Sequence, residues 1–246
     1  MTPLPGPVSQ ALRELEHTLS VSTEISAVSD PQLRDTYSVG LGWMQRFIMQ
    51  PHPNLGRKGA VCPFAKPSHD ERALWFCAFD ADAMPYETYI STLMQLPAFF
   101  SQLAQQRPEP SDLLSLAIFP RGLASDAYYK FIDGAHMILK PYYMACGLML
   151  GEFHPDSSVP GVHSASFRSM RADVPLFVIR AMALHDILFI DGESTPIGMR
   201  VHELDCFLRW NAHRLSANEA ARISERLAQR KAQLVDGETA AQHATA

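Results

Sequence analysis

Residues 73–79 read ALWFCAF, a short apolar stretch between the charged residues Arg72 and Asp80. A run of this length, rich in aromatic residues and bounded by polar ones, predicts a strand that is buried on both faces. Two later stretches, LLSLAIF at 113–119 and LMLGEF at 148–153, have the same character. We therefore expect three strands of one sheet at these positions.

Amphipathic segments lie between the predicted strands. Residues 85–104 place Tyr86, Ile90 and Leu93 on one helical face, and residues 125–145 show the same kind of spacing. This order of elements predicts an α+β or α/β fold, with a small mixed sheet of three to five strands flanked by helices. Helical patterns also precede and follow this region, so we expect helical N- and C-terminal segments.

Three local signals refine this picture. Asp30-Pro31 predicts the start of a helix, because it combines an N-cap residue with a first-turn proline. Pro97 predicts a kink or a break in the helix over 85–104. The segment PLFVIRAMAL at 175–184 fits either a helix or a strand, and its pattern slightly favours the helix.

The length of 246 residues suits one domain with a sizeable core. We expect that domain to span residues 8–235. Residues 1–7 are rich in proline and predict a disordered leader. Residues 236–246 predict a flexible tail.

Composition and charge exclude several classes of protein. The net charge of −5 at pH 7 offers no attraction to nucleic acid or to an anionic membrane, so we expect neither as a partner. No apolar run has the roughly 18–20 residues that a membrane-spanning helix needs. The four cysteines are widely spaced and no export signal is recognisable. Together these features predict reduced thiols and a cytoplasmic location.

Polar residues gather just after the third predicted strand, in the segment GEFHPD at 151–156. Glu152 and His154 are two residues apart and share one face of a strand. A histidine held at a strand end before a proline can ligate a metal through a neutral imidazole nitrogen, so His154 is a candidate metal ligand. The alternative is a simple turn at His154-Pro155.

Two arginines follow this segment at short spacing. Arg168 and Arg171 are candidates for binding a carboxylate or a haem propionate, because the guanidinium fork matches such groups bidentately. If this stretch is a helical turn, both guanidinium groups face the same way. The alternative is that they pair with surface acids such as Asp173.

A second candidate is the turn-dense loop HPNLGRKGAVCPF at 52–64. Cys62 could present a thiolate to a metal or an electrophile, with Arg57 and Lys58 to stabilise the negative charge. Phe64 would help this loop to cover a cofactor pocket. The alternative is an inert, buried cysteine in a loop that packs through its apolar residues.

A non-haem iron site is a further alternative. His154-Pro-Asp156 supplies two members of a two-histidine, one-carboxylate triad, with His202 or His213 as the third. Such a site usually lies in a double-sheet barrel, and the sequence lacks the many short alternating strands of that fold.

Three blocks of the sequence, HPNLGRKGAVCPF, GLMLGEFHP and FRSMRADVPLFVIR, resemble an uncharacterised bacterial domain family often found near natural-product biosynthesis genes. The resemblance covers about residues 45–195. More distantly, the layout resembles the YqcI/YcgG-type haem proteins, which are haem-dependent N-hydroxylases of amino-acid or guanidine substrates. Cys62-Pro63-Phe64 matches the early block of that group, whereas its tryptophan-rich segments are absent here.

The distant resemblance implies a haem-dependent oxidoreductase that acts on a small polar metabolite in specialised metabolism. The residues singled out above from their positions would then take these roles: His154 would be the axial ligand, Arg168 and Arg171 would hold propionates or a substrate carboxylate, and the 52–64 loop would cover the pocket. Non-haem iron chemistry is one alternative. A non-catalytic module that binds a small molecule in the same pocket is the other. Each hypothesis expects a small-molecule ligand and leaves self-association open.

Overall fold

The computed structural model of the chain describes residues 6–106, 111–161, 164 and 166–244. Residues 1–5 of the predicted leader and residues 245–246 of the predicted tail lie outside the described residues. Eight α-helices are found in the described part: α1 (Gly6–His17), α2 (Pro31–Trp43), α3 (Ala65–Asp70), α4 (Tyr86–Leu93), α5 (Leu96–Gln105), α6 (Ala135–Ala145), α7 (Ile197–Asn211) and α8 (Ala217–Ala244). The five strands are β1 (Ser20–Val21), β2 (Leu74–Asp80), β3 (Ser115–Arg121), β4 (Leu148–Phe153) and β5 (Leu176–Ala181).

The strands form one mixed sheet in the order β1-β2-β3-β5-β4. β2 and β3 are parallel, with Leu74 opposite Ser115, whereas β1 and β5 run antiparallel to their partners β2 and β3. Because parallel neighbours need a crossover, α4 and α5 connect β2 to β3. The α+β prediction, with helical segments at both ends, is confirmed.

The prediction of a helix over residues 175–184 is wrong, because Leu176–Ala181 forms β5. Phe177 and Ile179 are fully buried and pair with β3. A short apolar run in a core has the same composition in a helix and in a central strand, so its sequence does not distinguish the two.

The described residues group into two compact units, one of residues up to 140 together with 149–181, the other of residues 141–148 together with 182–244. The single domain over 8–235 stays a prediction. Helix α1 begins at Gly6 and α8 extends to Ala244, so both helices reach into the predicted leader and tail.

The core of the first unit centres on three rings that join α2 to the sheet. Tyr37 lies 5.4 Å from Phe76 of β2 and 5.2 Å from Phe119 of β3, measured between ring centroids. Gly40 lies one turn further along α2, where an added Cβ would come within 2.6 Å of the Phe119 ring. Glycine at this position therefore allows α2 to approach the sheet closely, which places the end of α2 beside the candidate site.

The second unit is organised around one buried carboxylate. Asp191 precedes α7 in a left-handed backbone conformation, with a φ of 58°. Its side chain accepts hydrogen bonds from Arg200 of α7 and from Arg226 and Arg230 of α8. The carboxylate thus links the segment before α7 to both helices.

Within the described residues, no helix combines the length and the apolar character needed to cross a membrane.

Candidate ligand-binding pocket

Helix α2 brings its C-terminal end to the candidate site and changes geometry there. The helix starts at the Asp30-Pro31 signal, where Asp30 accepts hydrogen bonds from the backbone N–H groups of the first turn. After Trp43 the chain continues as a π-helical turn over Met44–Ile48. This wider turn carries Arg46 and Phe47, and turns of this kind are frequent at functional sites.

A cavity of about 570 Å³ opens beside this turn, wholly within the first unit. Its floor consists of buried side chains, and its rim carries exposed charged residues. The lining consists of Trp43, Arg46, Phe47, His52, Pro155, Phe167, Arg168, Arg171, Ala172 and Asp173.

A side-chain hydrogen bond fixes the two walls of the pocket to each other. The indole Nε1 of Trp43 donates to the carbonyl oxygen of Arg171 at 2.9 Å. The backbone of Arg171 in turn forms a β-bridge with His154 at the end of β4. The segment that carries the predicted arginines is therefore held between α2 and the sheet.

Both predicted arginines line this cavity. The Nε of Arg171 donates to the carbonyl oxygen of Ser157 at 2.9 Å, while its two terminal nitrogens have no hydrogen-bond partner among the residues that the structure describes. Asp173 lies 2.6 Å from Arg46, so its carboxylate engages a residue that the sequence analysis did not single out. In the described lining, three guanidinium groups face one carboxylate.

The loop predicted to cover the pocket contributes one side chain to it. An antiparallel bridge between Pro51 and Ala60 closes the loop, and its base is tied to the π-helical turn by Cys62 N–H donating to Ile48 O. His52 lines the cavity, with its ring stacked on Phe167 at a centroid distance of 4.5 Å.

The other residues predicted in this loop have different surroundings, and the described lining does not include them. Arg57 donates to the carbonyl oxygens of Lys58 and Val61, which stabilises the loop itself. Cys62 is a half-buried free thiol that packs against the core. The Phe64 ring lies 4.4 Å from the Arg180 guanidinium. A cofactor-binding role for these residues stays a prediction.

The side chain of His154 lies on the other face of the chain from its neighbour. Phe153 packs on Trp43 of the pocket floor at 5.3 Å, whereas the His154 ring contacts Tyr128 at 5.2 Å. Its Nε2 lies 3.0 Å from Asp133, which belongs to a second π-helical turn over Tyr129–Gly134. Alternation along a strand explains why His154 points away from Phe153.

Glu152 shares this face with His154, as predicted. Its Oε2 lies 3.2 Å from Nε2 of His136 in α6, and the same nitrogen lies 3.0 Å from the Leu150 carbonyl oxygen. Burial, reinforced by the charge of Asp133, raises the pKa of Glu152 to about 7. Burial, reinforced by Lys140, lowers the pKa of His136 to about 4. This environment therefore favours the uncharged forms of both groups.

No three His, Cys, Asp or Glu side chains are arranged to hold a metal ion within the described residues. The metal-ligand role of His154, the haem cofactor and the non-haem iron alternative stay predictions.

Comparison with known proteins gives the family. Residues 38–222 match the model of DUF6875, a domain of unknown function. The chain belongs to the DUF6875 family. The matched region contains every described residue of the pocket lining, so this pocket lies in the family domain. No curated protein and no solved structure matches the chain. Membership of an uncharacterised family agrees with the sequence analysis. The links of the chain to haem proteins and to biosynthesis stay predictions.

Four further pocket residues, Trp43, Arg46, Phe47 and Phe167, could not be recognised from the sequence. Trp43 and Phe47 look like the apolar face of a helix, and Arg46 like its solvated face. Phe167 lies in a turn-rich segment without periodicity. Only the quoted loop with its initial His52 gave a signal, as a stretch too long for a simple connection.

Proposed function

We propose that the pocket binds a small carboxylate with a planar, apolar body. The observation that carries this proposal is the position of the Arg171 guanidinium, with its terminal nitrogens unpartnered among the described residues, at the rim of a floor made by Trp43 and Phe167. A guanidinium fork matches a carboxylate in geometry and charge. Aromatic rings in turn offer flat apolar surfaces for stacking.

The charge balance of the lining supports an anionic ligand. Arg46, Arg168 and Arg171 give three positive charges against the single negative charge of Asp173, which leaves +2 in the described lining. A pocket with this excess attracts anions even though the whole chain carries −5.

Small-molecule binding in a pocket without a metal is one of the alternatives that the sequence leaves open. The haem and iron hypotheses require a nitrogen of His154 as metal ligand. Its Nε2 lies against Asp133, and its buried Nδ1 has no hydrogen-bond partner among the described residues, but the described lining of the pocket does not include His154. The residues that do line the pocket therefore support carboxylate binding there rather than a cofactor held by His154.

Isothermal titration with benzoate, benzamide and acetate tests the proposal. Benzoate should bind with a Kd near 1 mM, because about −4 kcal/mol spread over nine non-hydrogen atoms is a usual ligand efficiency. Benzamide lacks the charge and acetate lacks the ring, so each should bind at least about tenfold more weakly. Equal affinity for benzoate and benzamide would show that the arginines do not recognise the carboxylate.

Arg171→Lys should weaken benzoate binding about ten- to a hundredfold, because lysine keeps the charge but loses the planar fork. The loss of the Nε hydrogen bond to Ser157 should lower stability by only about 1 kcal/mol. Titration and thermal melting of Arg168→Lys and Arg171→Lys measure both effects. The control is Arg209→Lys on α7, where the arginine pairs with Asp205 on the same helix. Unchanged affinity in both pocket variants would mean that the arginines do not bind the ligand.

Asp173→Asn should change affinity in the opposite direction. The substitution removes the negative charge from the described lining and releases Arg46 from an exposed ion pair. Such a pair is worth about 0–1 kcal/mol, so benzoate affinity should rise by up to about fivefold. A decrease in affinity would contradict the assignment of Asp173 as a group that opposes the ligand.

A further inference from the structure

The orientation of His52 in the pocket is fixed by three contacts. Its Nδ1 accepts a hydrogen bond from the backbone N–H of Asn54 at 3.2 Å. Its ring is stacked on Phe167 with an interplanar angle of 28°, and its edge meets Phe47 at a centroid distance of 5.7 Å. The loop backbone therefore holds one ring nitrogen, and two aromatic side chains hold the plane.

These contacts also fix the position of the ring proton. A backbone N–H can donate only to a nitrogen with a lone pair, so Nδ1 of His52 carries no hydrogen in this arrangement. The proton of the neutral ring must then be on Nε2, which is a hydrogen-bond donor. Among the residues that the structure describes, this Nε2 has no partner.

The described lining thus offers donors from both sides of the pocket. The arginines line the cavity from the 168–171 segment and from the π-helical turn after α2, whereas His52 lines it from the loop. Asp173 is the one carboxylate in the described lining, and Arg46 already engages it. A ligand with a single carboxylate would bind the arginines. Nε2 of His52 would then have no acceptor on the ligand.

We propose that His52 is a specificity-determining residue and that the pocket takes a planar dicarboxylate. One carboxylate binds Arg168 and Arg171, and the second accepts a hydrogen bond from Nε2 of His52. A dianion also balances the charge of +2 in the described lining. This inference rests on the proposed carboxylate-binding function and adds the class of ligand to it.

The test is isothermal titration of benzoate and the three benzenedicarboxylate isomers against the wild type and His52→Phe. Phenylalanine keeps a ring to stack on Phe167 but removes the donor. At least one isomer should bind the wild type about tenfold more tightly than benzoate, as expected for one additional charge-assisted hydrogen bond. In His52→Phe the affinities for that isomer and for benzoate should lie within about threefold of each other. The control Lys58→Ala removes a neighbouring positive charge and should retain the preference.

The outcomes separate the two proposals. If benzoate binds but no isomer exceeds it, or if the preference survives His52→Phe, the role of His52 is overturned while carboxylate binding stands. If neither benzoate nor any isomer binds, both proposals are wrong. Two-bond ¹H–¹⁵N NMR spectra of the imidazole give a second readout that needs no ligand. They should show His52 protonated on Nε2, and protonation on Nδ1 would overturn the proposal.

Discussion

Asp191→Asn is expected to lower the free energy of unfolding by about 3–5 kcal/mol, the usual effect of removing one partner from a buried ion pair. Arg200 donates to this carboxylate at 2.6 Å, Arg226 at 2.6 and 3.1 Å, and Arg230 at 2.8 and 3.2 Å. The carboxylate itself is only 1% exposed. Asparagine tolerates the left-handed backbone at this position, so the substitution isolates the loss of charge.

Urea denaturation measures the effect, with Asp205→Asn as the matched control. Asp205 forms an exposed pair with Arg209 on the same helix, and its loss should cost about 0–1 kcal/mol. Equal destabilisation by the two variants would show that the Asp191 cluster is no more important than a surface pair.

The pH dependence of the destabilisation by Asp191→Asn follows from the pKa of Asp191. Burial raises the pKa of this carboxyl, but the hydrogen bonds from the three arginines outweigh burial and hold the pKa well below its usual range. A lowered folded-state pKa gives stability that is present above the unfolded-state pKa and is lost as the pH falls through the folded-state value. The deficit of Asp191→Asn should therefore be constant between about pH 5 and 8 and shrink only below about pH 4.

Glu152→Gln is expected to give the protein a stability that rises with pH between about 4 and 6.5. In this variant His136 is the member of the pair that still titrates. Its folded-state pKa is about 4, against an ordinary histidine pKa of 6.5. The unfolded chain binds more protons in this range, so acid favours unfolding. A shift of this size corresponds to about 3 kcal/mol across the range.

The reciprocal variant His136→Gln should show the opposite slope. Glu152 has a folded-state pKa of about 7 against a reference of 4.5. The folded chain therefore binds more protons, and stability falls by about 3 kcal/mol as the pH rises from 4.5 to 7. In the wild type the two slopes cancel between about pH 4.5 and 6.5.

Urea unfolding at half-unit pH steps checks both slopes, with Glu71→Gln, an exposed carboxylate in the same unit, as the control. Parallel pH profiles for the two variants and the control would contradict the uncharged state of the pair.

Strands and helix ends could be predicted where one stretch of sequence contains all the residues that define them. The predicted strands at 73–79, 113–119 and 148–153 correspond to β2, β3 and β4 within about two residues, because each apolar run has polar neighbours that mark its ends. Pro97 separates α4 from α5 as expected, since it lies in the first turn of the second helix. β1 has only two residues, and a segment that short has no periodicity to detect.

The site could be predicted only in part, for a related reason. Arg168 and Arg171 are close in sequence, and their spacing alone suggested an anion-binding pair. Trp43 and His52 reach the same cavity from other segments, the C-terminal end of α2 and the closed loop. The spacing of residues within one segment does not show that two distant segments meet in the fold. The partner of His154 is likewise absent from its local sequence, because Asp133 lies 21 positions earlier.

Carboxylate binding in the pocket is tested most directly by a crystal structure of the protein soaked with 4-bromobenzoate at a saturating concentration. We expect an anomalous bromine peak over the aromatic floor near Trp43 and Phe167, with the carboxylate against Arg168 and Arg171. An unoccupied pocket, or a bromine peak at another surface only, would contradict it.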